Sequence, residues 1–265
     1  MLLLDSRVHR ISALDVWWPA PVQAVTAVVS RALVITVMQC TARVAVALSS
    51  LAFRTRLFCT MLVDLSLPLK TLWSRLDQKS CRTAINRDGR LGGEISVNDH
   101  AENSLRLINE LIDPGNYRRS MGPEEWTRSL VYSDVFDGRP VATHIVRVDG
   151  ESRARALLAP TVRRGIDLPG SVVGALNRYL LWHEIEHYRR RGVRYFDFGG
   201  VTLDRQSPLY SIARFTLSFG GEVVEERVVG LTGDLPLRLS LRAAAGVKTL
   251  LDQWRVRHHK NECDH

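Results

Sequence analysis

From Leu130 onward, apolar and polar positions alternate over short runs, and two Asp-Gly pairs punctuate them. Asp137-Gly138 and Asp149-Gly150 separate strand-like runs near Leu130–Phe136, Val141–Val148 and Arg153–Ala159. Asp-Gly suits a tight hairpin turn because both central positions of that turn need positive φ. The three runs therefore predict an antiparallel meander. The period then changes from two to about 3.6. Val173, Leu176, Leu180, Leu181 and Tyr188 form one stripe of a helix from about Ser171 to Arg191, stopped by Gly192. Asn177, Glu184 and His187 fall in the same arc and so face the sheet or a groove. Buried polar groups need partners, and both an interior network and a substrate-binding face fit this placement.

Residues 192–221 follow as GVRYFDFGGVTLDRQSPLYSIARFTLSFGG. In the strand Val193–Phe198, Val193, Tyr195 and Asp197 share one face and Arg194, Phe196 and Phe198 the other. Gly199-Gly200 then leave a surface that backbone or ligand can approach closely. A helix over Pro208–Phe219 and a strand over Glu222–Val229 complete the series. The Arg153 strand, the long helix and the Val193 strand read as a βαβ unit with a parallel pair.

Upstream, LVDLSLPLKTLWSRLD from Leu62 reads as a strand end followed by a helix with Pro68 at its start. Residues 79–93, KSCRTAINRDGRLGG, are basic and glycine-rich and predict an exposed loop or linker. Next come a strand over Glu94–Asn98, a helix near Ala101–Ile112 ended by Asp113-Pro114-Gly115, and a second helix opening at Gly122-Pro123. Periodicity leaves strand and helix equally open for Val22–Leu51. Charges at Asp15, Arg31, Arg43, Arg54, Arg56 and Asp64 interrupt the apolar N-terminal region, so no membrane-spanning helix is expected there. The start, MLLLDSRVHR, is a poor signal peptide.

Composition adds limits. At 265 residues, 45% hydrophobic and 24% charged, the chain reads as one or two globular domains. The net charge of +8 favours anionic partners such as tRNA, a CoA pyrophosphate, other nucleic acid or a membrane surface. Cys40, Cys59, Cys81 and Cys263 show no paired spacing, so neither a zinc knuckle nor a disulfide framework is expected, and a cytoplasmic setting is the default. One motif competes for the chemistry. His183-Glu184-Ile185-Glu186-His187 matches HExxH, which sets two zinc ligands one helical turn apart. The helix ends at Gly192 directly after it, with only Asp204 or Glu222 as loose third ligands, so the reading is that no metal is held.

The order β, α, α, β, β, β, α, β, α, β, together with Gly192, Tyr195, Asp197, Gly199, Gly200, Tyr210, Phe215, Phe219, Gly220 and Gly221, resembles the GNAT fold of N-acyltransferases. Asp137-Gly138, Pro140, Ala142, Asn177 and Trp182 bring it nearest to the Fem-type branch, whose enzymes add amino acids to peptidoglycan precursors, and to related acetyltransferases. The resemblance covers roughly residues 62–230. It implies an α+β fold with a mixed sheet and flanking helices, an acyl-CoA or aminoacyl-tRNA donor, and a small-molecule or cell-wall precursor amine as acceptor. It implies an acyltransferase domain over 62–236, a possible remnant of a first such domain over 1–61 and a basic tail over 237–265. On these grounds Asp197 is expected to orient the amine or act as base through water, and Tyr210 to act as general acid. Asn177, Glu184, Gly199, Gly200, Arg214, Phe215 and Thr216 are the expected substrate-binding positions, with the donor carbonyl near Leu158–Thr161. Two departures stand out. The loop VRRGIDLPGS lacks the glycine-rich cradle of acetyl-CoA users, and Thr216 stands where the Fem-type pattern has a charge-stabilising lysine, with Arg214 the nearest replacement. The alternatives are a zinc hydrolase and a non-catalytic GNAT-like binding domain.

Overall fold

A computed structural model describes residues 2–8, 11–17, 22–26, 29, 32–88, 94–97, 129–136, 138–149, 151–158 and 168–244. The chain divides into two compact units, one made of residues 1–58 with 225–265 and the other of residues 59–224.

In the first unit, β1 (Leu2–Val8) pairs antiparallel with β2 (Ile11–Trp17), β2 parallel with β3 (Val34–Cys40), and β3 antiparallel with the last strand, β10 (Glu222–Leu231). Two short helices, α1 (Val22–Thr26) and α2 (Ala42–Ala47), accompany them. Thr41 caps α2 by accepting the Val44 N–H. The core gathers Val16, Val25, Ile35, Val37, Val44, Leu48, Val229 and Leu231. Residues 235–244 are helical, and Arg242 reaches back to the Ala52 carbonyl.

The second unit takes the end of β4 (Ala52–Asp64), then α3 (Leu69–Arg75), a π-type turn over Gln78–Arg82, α4 (Thr83–Asp88) and β5 (Glu94–Val97). It continues through β6 (Ser129–Phe136), β7 (Arg139–Asp149), β8 (Arg153–Leu158), α5 (Gly170–Arg190), β9 (Tyr195–Gly200) and α6 (Tyr210–Leu217). Its sheet runs β4-β9-β8-β7-β6-β5. β8 and β9 are parallel and the other neighbours antiparallel, as the meander and crossover patterns predict. The core joins Met61, Leu72, Ile85, Tyr132, Leu180, Trp182, Ile185, Tyr188, Phe196 and Phe219. Gly192, at φ +76, turns the chain out of α5 toward β9.

One expectation is corrected. Residues 79–88 are helical, not a loop. Cys81 and Ile85, four apart, are buried on one side, and Asp77 opens the segment by accepting the Ser80 N–H at 2.7 Å. Basic composition hid this amphipathic pair. The expected helices near 101–112 and from 122 lie outside the described residues.

Candidate active site

β8 and β9 exchange backbone bonds over only three pairs, Arg153 with Tyr195, Ala154 with Phe196 and Arg155 with Asp197. Beyond them Ala156–Leu158 and Phe198–Gly200 continue as strands but no longer pair, so the sheet opens at the carboxyl ends of its parallel pair. Gly199 lies at this opening with φ +85, and an added Cβ would meet Arg155 and the Ala156 carbonyl oxygen at 3.4 and 3.5 Å. The expected donor-carbonyl positions 159–161 and the loop 161–167 lie outside the described residues.

Asp197 ends the ladder and is fully buried. Phe196 and Phe198, its neighbours, join an aromatic chain with Tyr188 and Phe219, so Asp197 points to the opposite face of the sheet. There its Oδ1 accepts from the Thr60 hydroxyl and, at 2.8 Å, from the Gly199 N–H. Its Oδ2 meets Arg153 Nη1 at 3.4 Å and Arg155 Nη1 at 3.5 Å. The Gly199 carbonyl oxygen also lies 2.7 Å from the Thr60 hydroxyl, whose one proton Asp197 and Gly199 share. Asp197 and Gly199 are thus brought together, and Gly200 pairs with Thr60 across β4.

Asn177 and Glu184 meet on the other face, through a residue the sequence reading missed. His144 on β7 places Nδ1 at 2.7 Å from Glu184 Oε1 and Nε2 at 2.6 Å from Asn177 Oδ1. His144 and Glu184 are fully buried. Burial pushes the Glu184 carboxyl above its ordinary range, against the pull of His144. Both ring nitrogens of His144 are thus engaged, one by the Glu184 carboxyl and one by the Asn177 side-chain oxygen. Beside it the rings of Tyr132, His187 and Tyr188 pack edge to face, with centroids 5.2–5.9 Å apart.

The HExxH residues take separate roles. His183 and His187 have ring centroids 6.5 Å apart, His187 packs among the tyrosines, and the Glu184 carboxyl bonds to His144. Among the described residues, no three of His, Cys, Asp and Glu gather as a metal site.

On α6, Tyr210 opens the helix half-buried against the main core, and Phe215 packs on Phe219 with ring centroids 5.8 Å apart. Thr216 is buried and Arg214 is exposed, so Arg214 does not turn into the position that Thr216 occupies. Instead Arg178, from α5, lays its guanidinium 4.5 Å from the centre of the Phe215 ring.

Thr60, His144, Arg153, Arg155 and Arg178 contact the expected site residues and were left out by sequence reasoning. Thr60 lies in a run of apolar strand residues, and the arginines lie among others equally basic. Only His144 had a signal: two polar residues seven apart on the buried arc of α5 require a partner on the facing strand.

No known protein-family profile and no curated protein matches the sequence. Solved structures do. The chain is similar to FemX, with a TM-score of 0.64 and 10% identity over 91% of this chain and 86% of FemX. It is similar to the C-terminal domain of a protein assigned as lysylphosphatidylglycerol synthetase from Agrobacterium fabrum, at 0.57 and 16% over 92% and 84%. L-PGS from Bacillus licheniformis follows at 0.53 and 13% over 90% and 83%. Likeness at these identities is a likeness of fold: the chain has the α+β fold of GNAT-type N-acyltransferases, a mixed sheet with flanking helices, and resembles the Fem-type arrangement of it.

Proposed function

We propose that this protein is an N-acyltransferase, moving an acyl or aminoacyl group from an activated donor to an amine. The observation that carries the reading is the parallel β8–β9 pair whose ladder stops after Arg155 and Asp197, leaving an opening floored by Gly199 and Gly200. Such an opening lets a donor carbonyl lie between two strands while the amine approaches from one face. Tyr210 is the proposed general acid for the leaving group. In this reading the Asp197 carboxylate, occupied by Thr60, Gly199, Arg153 and Arg155, acts through those contacts and not by direct contact with the amine. It holds the end of β9 and two guanidinium groups where negative charge develops on the reacting carbonyl. Gly199, Gly200, Phe215 and Thr216 border the donor in this reading, Asn177 and Glu184 fix α5 beside it, and Arg214 lies at its rim.

The donor is an acyl-CoA or an aminoacyl-tRNA, and the net charge of +8 suits either polyanion. The acceptor is a small-molecule or cell-wall precursor amine, as in envelope or polysaccharide synthesis. Among the described residues, no helix is long and apolar enough to cross a membrane. Residues 62–236 are read as the acyltransferase domain, 1–61 as a reduced first one and 237–265 as a basic tail; the FemX likeness over 91% of the chain supports including the N-terminal residues.

Purified protein assayed with radiolabelled acyl-CoA and aminoacyl-tRNA panels against amine acceptors tests the reading. Transfer from one donor class, lost in Tyr210→Phe, is expected. Absence of both turnover and donor binding across the panels would favour the non-catalytic binding domain.

A further inference from the structure

The helix over residues 235–244 carries leucines on two sides. Leu237 and Leu241, four apart, are half-buried, while Leu235 and Leu239, also four apart, remain 53% and 56% exposed. α2 is divided in the same way: Val44 and Ala45 are buried, and Val46 is 72% exposed with Arg43 beside it one turn back. One stretch of chain joins the two helices. Arg238 Nη1 donates to the Ser50 carbonyl oxygen at 2.8 Å, Arg242 Nη2 to that of Ser49 at 3.2 Å and Arg242 Nε to that of Ala52 at 2.8 Å, while the Ser49 N–H bonds back to the Val46 carbonyl oxygen at 3.1 Å. Both guanidinium groups are thereby engaged on backbone carbonyls just beyond α2, and Val46, Leu235 and Leu239 are the side chains turned outward.

The charge around these side chains is positive. The sequence has no acidic residue between Val16 and Val63 or between Leu235 and Leu251, and its basic residues there include the exposed Arg43, Arg54 and Arg56. Among the described acidic side chains of this unit, Asp15 and Glu226 are buried, Glu225 lies beside Arg227, and Asp234 accepts the Leu237 N–H. A second copy of the chain suits this face poorly. Three aliphatic side chains, each little more than half exposed, fall short of the roughly 800 Å² that each partner of a stable protein pair covers, and a two-fold pairing would set like charges together. Nucleic acid is held by arginine forks on phosphate and by stacked aromatic rings, whereas here the exposed large side chains are aliphatic and the Arg238 and Arg242 forks are occupied. A lipid surface suits both features, since aliphatic side chains enter the boundary between headgroups and acyl chains while cations meet anionic headgroups. We propose that the face of the first unit made by α2 and the 235–244 helix is a peripheral contact surface for an anionic lipid bilayer. The assignment does not rest on the acyl-transfer reading.

The test uses the full chain and co-sedimentation with vesicles of phosphatidylglycerol and phosphatidylcholine in equal parts, or of phosphatidylcholine alone. Saturable binding to the anionic vesicles, about tenfold or more tighter than to the neutral ones and weakening as salt is raised, is expected. The double change Leu235→Asn with Leu239→Asn should weaken that binding about tenfold, and Val46→Asn alone should weaken it by a smaller factor, both with the melting temperature of the parent because the positions are exposed. Leu203→Asn, changed at a leucine 61% exposed in the other unit, should bind as the parent does. No binding, equal binding to neutral vesicles, or parent-like binding by the leucine and valine variants, which is what attraction of the +8 chain alone would give, would each overturn the proposal. So would a concentration-dependent dimer in sedimentation velocity that the same variants dissociate, since a second copy would then be the occupant.

Discussion

His144 and Glu184, forty residues apart in the chain, meet at 2.7 Å in full burial and lock the crossover helix to the second strand of the meander. Removing one partner strands the other. Glu184→Ala should therefore cost about 3 kcal/mol or more in urea unfolding, combining an unsatisfied buried ring nitrogen with a cavity. The paired change His144→Phe with Glu184→Leu should cost much less than the two single changes together. Additive costs in a double-mutant cycle would show that the contact carries no coupling.

The same pair gives a pH signature. The folded carboxyl of Glu184 holds its proton above the ordinary 4.5, so the folded state binds more protons there than the unfolded chain. Its contribution is complete below that value and is lost as pH rises through the raised one. Unfolding free energy followed from pH 4 upward should contain this decline, and Glu184→Gln should remove it.

His183 and His187 act in the opposite sense. Burial first, then neighbouring charge, holds both below the ordinary 6.5, with Arg190 acting on each. The unfolded chain takes up these protons first, so stability present above pH 6.5 is lost as pH falls through the lowered values. His187→Asn should flatten the loss of stability that sets in as pH falls below 6.5; an unchanged slope would assign the acid loss to other groups.

Among the described residues, Gly220 is the most confined glycine of the second unit. It sits at φ +70, and a Cβ there would fall on the Arg75 carbonyl. Gly220→Ala should cost more than about 2 kcal/mol, adding a backbone strain of roughly 1–2 kcal/mol to a displaced α3. Gly138→Ala, also at positive φ but with nothing within 4 Å, should show the strain alone.

For the proposed chemistry, Tyr210→Phe should lower turnover by ~100-fold to ~10,000-fold with the melting temperature kept, as expected of a lost general acid. Asp197→Asn should lower both turnover and stability, because Arg153 and Arg155 lose their carboxylate. An active preparation in which both variants turn over at the parent rate would remove these residues from the site.

The second unit was largely legible because local signals agreed with the final fold. Gly138 and the alternation around it set β6 and β7, while the stripe through Leu176, Leu180 and Tyr188 and the stop at Gly192 set α5 and the parallel pair. The site was legible only where its residues lie on those elements. Asp197 and Asn177 could be placed on faces, but their partners Thr60 and His144 come from distant strands whose local sequence carries no mark of the pairing. In the first unit, Val34–Cys40 is apolar except at Thr36 and Gln39, three apart, and offers no period of two to read. Its strand is decided by β2 and β10 on either side.

Gln39 on β3 donates to Glu226 on β10 at 2.9 Å, across 187 residues of chain. During synthesis at roughly 5–20 residues per second, β3 would wait about ten to forty seconds before its antiparallel partner exists. Throughout that interval the hydrogen-bonding edge of Val34–Cys40 that β10 later occupies is open to any other extended segment. An extended segment that pairs with this edge first would compete with β10 for its native place.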